Sequence, residues 1–370
     1  MGAIIAAHSV RGAQRTPETA MRMSTLALLG ATLLLAFHAQ ARVPGCAVAG
    51  LSSGTYTLKH GGLTRTFRVY VPPGYTGTVP SRLVMLFHGW GGNEDEFLGD
   101  SAVIDEARTR GYILVAPRGL GSGPPDHSRN SWTFRGSATG LAGAGVSSKS
   151  TAAAPAICDS VSTPDYRYPS CKTGTAKHSC SWTQCQDDDV RFTVALMRYL
   201  KNRLCIDTAH VYATGGSNGG MFTWELGQNP LSAPIFRAIA PVIGLPHKGY
   251  LGGPGKHDRL PVMLITGLND PVVPPGAWDS DAYTTTSNDN DRFYYTGATA
   301  IMKRWAAAAG CNTSGKELAL DYGAGQADCR SYCPATGSRW PAVLDCRANM
   351  AHDYGLPWSW KLIMDFFDHT

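Results

Sequence analysis

The chain has 370 residues and a formal charge of +5, from 33 lysines and arginines against 28 aspartates and glutamates. A surplus that small, with no Lys/Arg block to concentrate it, argues against a nucleic-acid-binding surface. The length suits one large α/β domain with insertions, or two small domains.

Residues 1–41 read as a secretory leader. Arg11, Arg15 and Arg22 form a basic stretch, and Ser24–Phe37 is an apolar run shorter than the roughly 20 residues a membrane span needs. Ala39 and Ala41 supply small residues for cleavage after Ala41, while Met21 and Met23 offer alternative starts. No second long apolar segment follows, so residues 42–370 are expected to be a soluble catalytic domain with no membrane partner. All ten cysteines (Cys46, Cys158, Cys171, Cys180, Cys185, Cys205, Cys311, Cys329, Cys333 and Cys346) lie beyond the leader. An even count in that context implies disulfides and an oxidising compartment. Cys180-x4-Cys185 and Cys329-x3-Cys333 lack the paired C-x2-C spacing of a zinc ribbon, so no metal is expected. Asn312-Thr313-Ser314 is an N-glycosylation sequon.

In chain order, Thr66–Val71 alternates and stops at Pro72-Pro73-Gly74, which predicts a strand and a turn. Leu83–Phe87 is an unbroken apolar run, as in a strand buried on both faces, and ends at His88-Gly89-Trp90-Gly91-Gly92. A helix is predicted over Asp95–Thr109 and a second buried strand over Tyr112–Ala116. Residues 119–185, rich in Gly, Ala, Ser and Cys, show no sustained period and read as a disulfide-stapled insertion. Asp187-Asp188-Asp189 opens a helix reaching Leu204, its acids placed to complement the helix dipole. Further strands are predicted at His210–Tyr212, Ala238–Ile243 and Val262–Thr266, with a short segment at Val343–Cys346. Helices are predicted over Gly219–Gln228, Thr299–Ala309 and Trp358–Phe367, and a polar loop over Asp279–Asn290. The alternation predicts an α/β fold with a mostly parallel central sheet and helices on both faces.

Gly215-Gly216-Ser217-Asn218-Gly219-Gly220 sits between a predicted strand and a predicted helix. With 42 glycines in the chain, a bare G-x-S-x-G is weak evidence, but this context is that of a nucleophile elbow. There Gly215 and Gly219 make room where strand and helix backbones pass closely, and Ser217 is lifted above the sheet as a nucleophile. In that arrangement the acid and then the base follow the serine in the chain. Asp270, in a loop at the C-terminal end of a buried strand, is the expected acid, with Asp345 and Asp353 as alternatives. His352 is the expected base, because His369 lies at the chain terminus, where fraying is common. The oxyanion donors are expected to be the backbone N–H groups of Asn218 and Trp90, with Gly89 and Gly91 close alternatives to Trp90. His88 reads as structural, pinning its loop.

Taken together, the stretches TFRVYVPPGY, RLVMLFHGWGGNEDEF, DDDVRFTVALMRYLKNRLCIDTAHVYATGGSNGGMF and PVMLITGLNDPVVP, with the His352 loop, resemble secreted α/β-hydrolase esterases. The family is that of the feruloyl esterases and polyhydroxybutyrate depolymerases. The resemblance runs from Thr66 to the C-terminus, interrupted by the insertion. It implies an α/β-hydrolase fold, cofactor-free hydrolysis of carboxylic esters, and Ser217, Asp270 and His352 as the triad. Feruloyl ester cleavage on plant cell-wall polysaccharide is the leading expectation. Polyester depolymerisation and acetylxylan deacetylation are alternatives, and a non-catalytic binding protein is a minor one. Family members often carry His-x-Trp-Pro where this chain has His352-Asp353-Tyr354. Trp90, Trp132, Trp278, Tyr354 and Trp358 are candidates to line a substrate pocket.

Overall fold

A computed structural model describes residues 45–47, 50–121, 130–132, 134, 188–248, 260–285, 293–318, 326–333 and 342–370. The predicted leader and nearly all of the 119–185 insertion, with Cys158, Cys171, Cys180 and Cys185, lie outside the described residues. Those described all belong to one compact unit, Arg42–Thr370.

The unbroken apolar runs become the middle of a sheet. Strands β3 (Ser81–Phe87), β4 (Ile113–Pro117), β5 (Ile206–Gly216), β6 (Ala238–Val242), β7 (Val262–Gly267) and β12 (Val343–Ala348) run parallel in the order β4-β3-β5-β6-β7-β12. Side chains alternate across this sheet: Leu83, Met85 and Phe87 join one core cluster, Val84 and Leu86 the other. Helices α3 (Asp188–Lys201), α4 (Asn218–Gln228) and α5 (Ala298–Ala308) feed the first cluster through Leu196, Phe222 and Ile301. The second takes Phe97, Val103 and Phe366 from α1 (Asp95–Leu98), α2 (Ser101–Arg110) and α6 (Pro357–Asp368). This two-sided burial is what makes the central strands read as continuous hydrophobic runs.

Antiparallel strands extend both edges. The hairpin β1 (Gly54–His60) and β2 (Leu63–Tyr70) pairs onto β4, turning at Gly61 and Gly62, both at positive φ, as a two-residue hairpin turn requires. On the far side, β11 (Ala327–Cys333) pairs with β12 and β10 (Lys316–Leu318) with β11, while β8 (Tyr283–Thr285) and β9 (Tyr294–Thr296) form a separate ribbon. Apart from β2, these edge strands were not evident in the sequence. β1 shows why: its side chains alternate between half-buried and exposed, so no apolar run marks it. The helix expected over Asp95–Thr109 is broken at Gly99-Asp100. Asp100 adopts an extended backbone, and its Oδ1 caps α2 by accepting the Ala102 N–H at 2.8 Å.

Three disulfides lie among the described residues: Cys46–Cys205, Cys311–Cys333 and Cys329–Cys346. The last joins residues directly opposite each other on β11 and β12. Asp189, expected only to complement its helix dipole, also forms a buried ion pair with Arg65 of β2 at 2.6 Å. This anchors the start of α3 to the sheet.

Candidate active site

The C-terminal ends of β3, β5, β7 and β12 deliver four loops to one edge of the sheet. At the end of β5 the chain turns sharply. Ser217 has φ 53° and ψ −117°, one of three non-glycine residues at positive φ among those described. Such a backbone is costly and is held here by its surroundings: the Ser217 N–H donates to Val242 O at 3.0 Å, and Ser217 O accepts the Met221 N–H at 2.9 Å. The flanking glycines permit the turn. A Cβ on Gly215 would lie 2.5 Å from Phe87 O, and one on Gly219 would collide with the carbonyls of Phe87 and His88.

Two further loops meet the serine. Asp270, after β7, is 3% exposed; its Oδ1 accepts the N–H groups of Val272 and Val273 at 2.8 and 2.9 Å. Its Oδ2 accepts Nδ1–H of His352 at 2.8 Å, and His352 Nε2 lies 2.9 Å from Ser217 Oγ. With the carboxylate holding the proton on Nδ1, Nε2 presents its lone pair to the hydroxyl. The Asp270 and His352 loops are stitched together by Leu268 N–H to Ala348 O (2.8 Å) and Asn269 N–H to Met350 O (3.1 Å). The alternatives lie elsewhere. Asp345 is fully buried against Arg347 at 2.9 Å, and His369 bonds the Asp365 carbonyl at the end of α6.

The loop after β3 is braced around His88. Its Nε2 accepts the Gly119 N–H at 2.9 Å and its Nδ1–H donates to Gly89 O at 2.7 Å, so both ring nitrogens are assigned and the ring is neutral. Burial drives its pKa down to about 4, and the Arg118 and Arg65 charges add to the shift. Gly89 O also accepts the Gly92 N–H at 3.1 Å. Because the peptide is planar and trans, fixing that carbonyl turns the Trp90 N–H to the opposite side. The Gly89 and Gly91 amides are committed elsewhere, to Glu96 Oε1 at 3.0 Å and Asn130 O at 2.8 Å.

The Asn218 side chain, unremarked in the sequence, secures the start of α4. Its Oδ1 accepts the Trp132 N–H at 2.8 Å and the Ser131 hydroxyl at 3.0 Å. Trp132 Nε1–H in turn donates to His88 O at 2.8 Å. Asn130, Ser131 and Trp132 thus buttress both the elbow and the His88 loop. They fall at the insertion's edge, where no periodicity marks them.

A central parallel sheet with antiparallel edges, helices on both faces and a serine on a strained strand-to-helix turn defines the architecture. The protein is an α/β-hydrolase. No family model matches the sequence. It is 27% identical over 267 residues to feruloyl esterase C of Emericella nidulans, covering 69% of this chain and 74% of that protein. It is 24% identical over 253 residues to a probable feruloyl esterase C of Aspergillus niger, covering 67% and 68% respectively. Among solved structures, an acetyl xylan esterase from Aspergillus awamori superposes with a TM-score of 0.51 over 85% of this chain and 99% of its own, at 12% identity. At that identity the likeness concerns the fold.

The aromatic candidates of this α/β-hydrolase have different fates. Trp132 is wholly buried, stacked on Phe222 with ring centroids 5.2 Å apart, so it is core and not a ligand surface. Trp278 packs against the guanidinium groups of Arg347 and Arg330, at 3.8 and 4.5 Å. It borders a cavity of about 430 Å³ that none of Ser217, Asp270 and His352 lines. Trp358 is half-buried against the core on the α6 side. Tyr354 packs over Gly216 and Gly89, and Trp90 is 44% exposed.

Proposed function

We propose that this protein is a carboxylic ester hydrolase of the feruloyl esterase type, acting through Ser217, His352 and Asp270 on esters of plant cell-wall polysaccharide. The observation that carries the chemistry is the continuous chain from Asp270 Oδ2 through His352 to Ser217 Oγ, with links of 2.8 and 2.9 Å. The similarity to feruloyl esterases over two thirds of the chain supports the substrate class.

In this reading Ser217 Oγ attacks the ester carbonyl carbon while His352 Nε2 takes the hydroxyl proton. Asp270 holds the imidazolium that forms. The carbonyl oxygen becomes an oxyanion, accepting from the N–H groups of Asn218 and Trp90 at the positive end of α4. As the tetrahedral adduct collapses, the C–O bond to the alcohol breaks and His352 returns the proton to the leaving oxygen. Water, deprotonated by the same imidazole, then releases the acid and restores the serine.

Three disulfides and the leader-like residues 1–41 support a secreted protein. The test is turnover of methyl ferulate, p-nitrophenyl acetate and hydroxybutyrate oligomers by the parent and Ser217→Ala. The account predicts a preference for the feruloyl ester that disappears in the variant. Preferential cleavage of the oligomers would replace feruloyl esters with polyesters as the substrate class.

A further inference from the structure

Tyr354 stands two residues beyond His352, and its hydroxyl donates to Glu96 Oε1 at 2.6 Å. The same oxygen accepts the Gly89 N–H at 3.0 Å. One half-buried carboxylate is therefore shared by the loop carrying the imidazole and the loop carrying Trp90. Those loops leave β12 and β3, which are separated in the sheet by β5, β6 and β7, so no strand pairing sets their spacing. The Tyr354 ring bridges the gap. A Cβ on Gly216, directly before the serine, would strike its ring, and one on Gly89 would strike its hydroxyl. On its other side the ring meets Phe97 of α1, at 5.8 Å between centroids. A second link runs alongside, from Trp360 Nε1–H to Asp100 Oδ2 at 2.8 Å. Burial and the Glu96 charge hold the Tyr354 phenol protonated well above its ordinary range, so it remains a donor.

We infer that Tyr354 and Glu96 are positioning residues: their hydrogen bond fixes the oxyanion loop at its working distance from the His352 imidazole. The inference rests on the ester-hydrolase reading. An oxyanion donor acts only within about 2.7–3.1 Å of the charge, and a misplacement of about 1 Å costs roughly a hundredfold. The residue that closes this clasp here is the tyrosine standing where related sequences often place tryptophan.

The experiment compares the parent with Tyr354→Phe, Glu96→Ala, Glu96→Gln, the Tyr354→Phe/Glu96→Ala double variant and Ser217→Ala. Each is assayed on methyl ferulate well below its own melting temperature. Tyr354→Phe and Glu96→Ala should each lower kcat about tenfold, with KM within about twofold. Affinity for phenylboronic acid, which forms a tetrahedral adduct on the serine, should fall by the same factor. The double variant should be no worse than the poorer single, because one clasp has been broken twice. Glu96→Gln, which keeps an acceptor oxygen, should recover most of the Glu96→Ala loss. A kcat for Tyr354→Phe within twofold of the parent, or losses that multiply in the double variant, would overturn the clasp while an inactive Ser217→Ala left the hydrolase reading standing. Full activity in Ser217→Ala would overturn both.

Discussion

The Asn218 side-chain oxygen accepts the backbone N–H of Trp132 at 2.8 Å, tying the residue after the serine to a segment 86 positions earlier. The bond is fully buried, and Ser131 shares the same acceptor. Asn218→Ala would strand a backbone N–H and a hydroxyl without a partner. We expect a stability loss of about 2 kcal/mol and a fall in kcat, since the Asn218 amide is a proposed oxyanion donor. Chemical denaturation and steady-state kinetics check both; a loss of stability with kcat unchanged would mean that the bond serves folding alone.

His88 makes stability depend on acid. Its pKa is about 4 in the folded protein against about 6.5 unfolded, so between those values the unfolded chain holds the extra proton. Its contribution is complete above about pH 6.5 and is lost as pH falls toward 4, to a total of about 3 kcal/mol. Melting curves across that window should show the decline, and His88→Asn, which does not titrate there, should flatten it. An identical decline in the variant would assign the acid sensitivity to other groups.

The elbow tolerates no side chain at its second glycine. A Cβ on Gly219 would overlap backbone carbonyls of Phe87 and His88, which cannot swing aside as a side chain can. Gly219→Ala should cost about 3 kcal/mol and most activity. A variant with parental melting temperature and kcat would show that strand and helix can separate freely.

Cys46–Cys205 closes the largest described loop, with a sequence separation of 159 residues. Replacing both cysteines by serine should lower stability by about 4 kcal/mol, measured by denaturation with the other bridges intact. An unchanged midpoint would indicate that the early segment is held by other contacts.

The sheet's centre was legible in the sequence because strands buried on both faces are apolar throughout, as Leu83–Phe87 and Val262–Gly267 are. Edge strands such as Ala327–Cys333 mix half-buried, exposed and buried positions and leave no such mark. At the site, the glycines flanking Ser217 were informative because close backbone approach admits nothing larger. The buttress of Ser131 and Trp132, and the carboxylate of Glu96, were not readable. Their roles depend on loops meeting across the sheet, a relation that no local spacing records.

The central claim is that Ser217 carries the acyl group. Quenching the reaction with methyl ferulate early and mapping the modified peptide by mass spectrometry tests it most directly. The account predicts one feruloyl group on the peptide bearing Ser217, and neither adduct nor turnover in Ser217→Ala. An adduct on another residue, or turnover by Ser217→Ala at the parental rate, would contradict it.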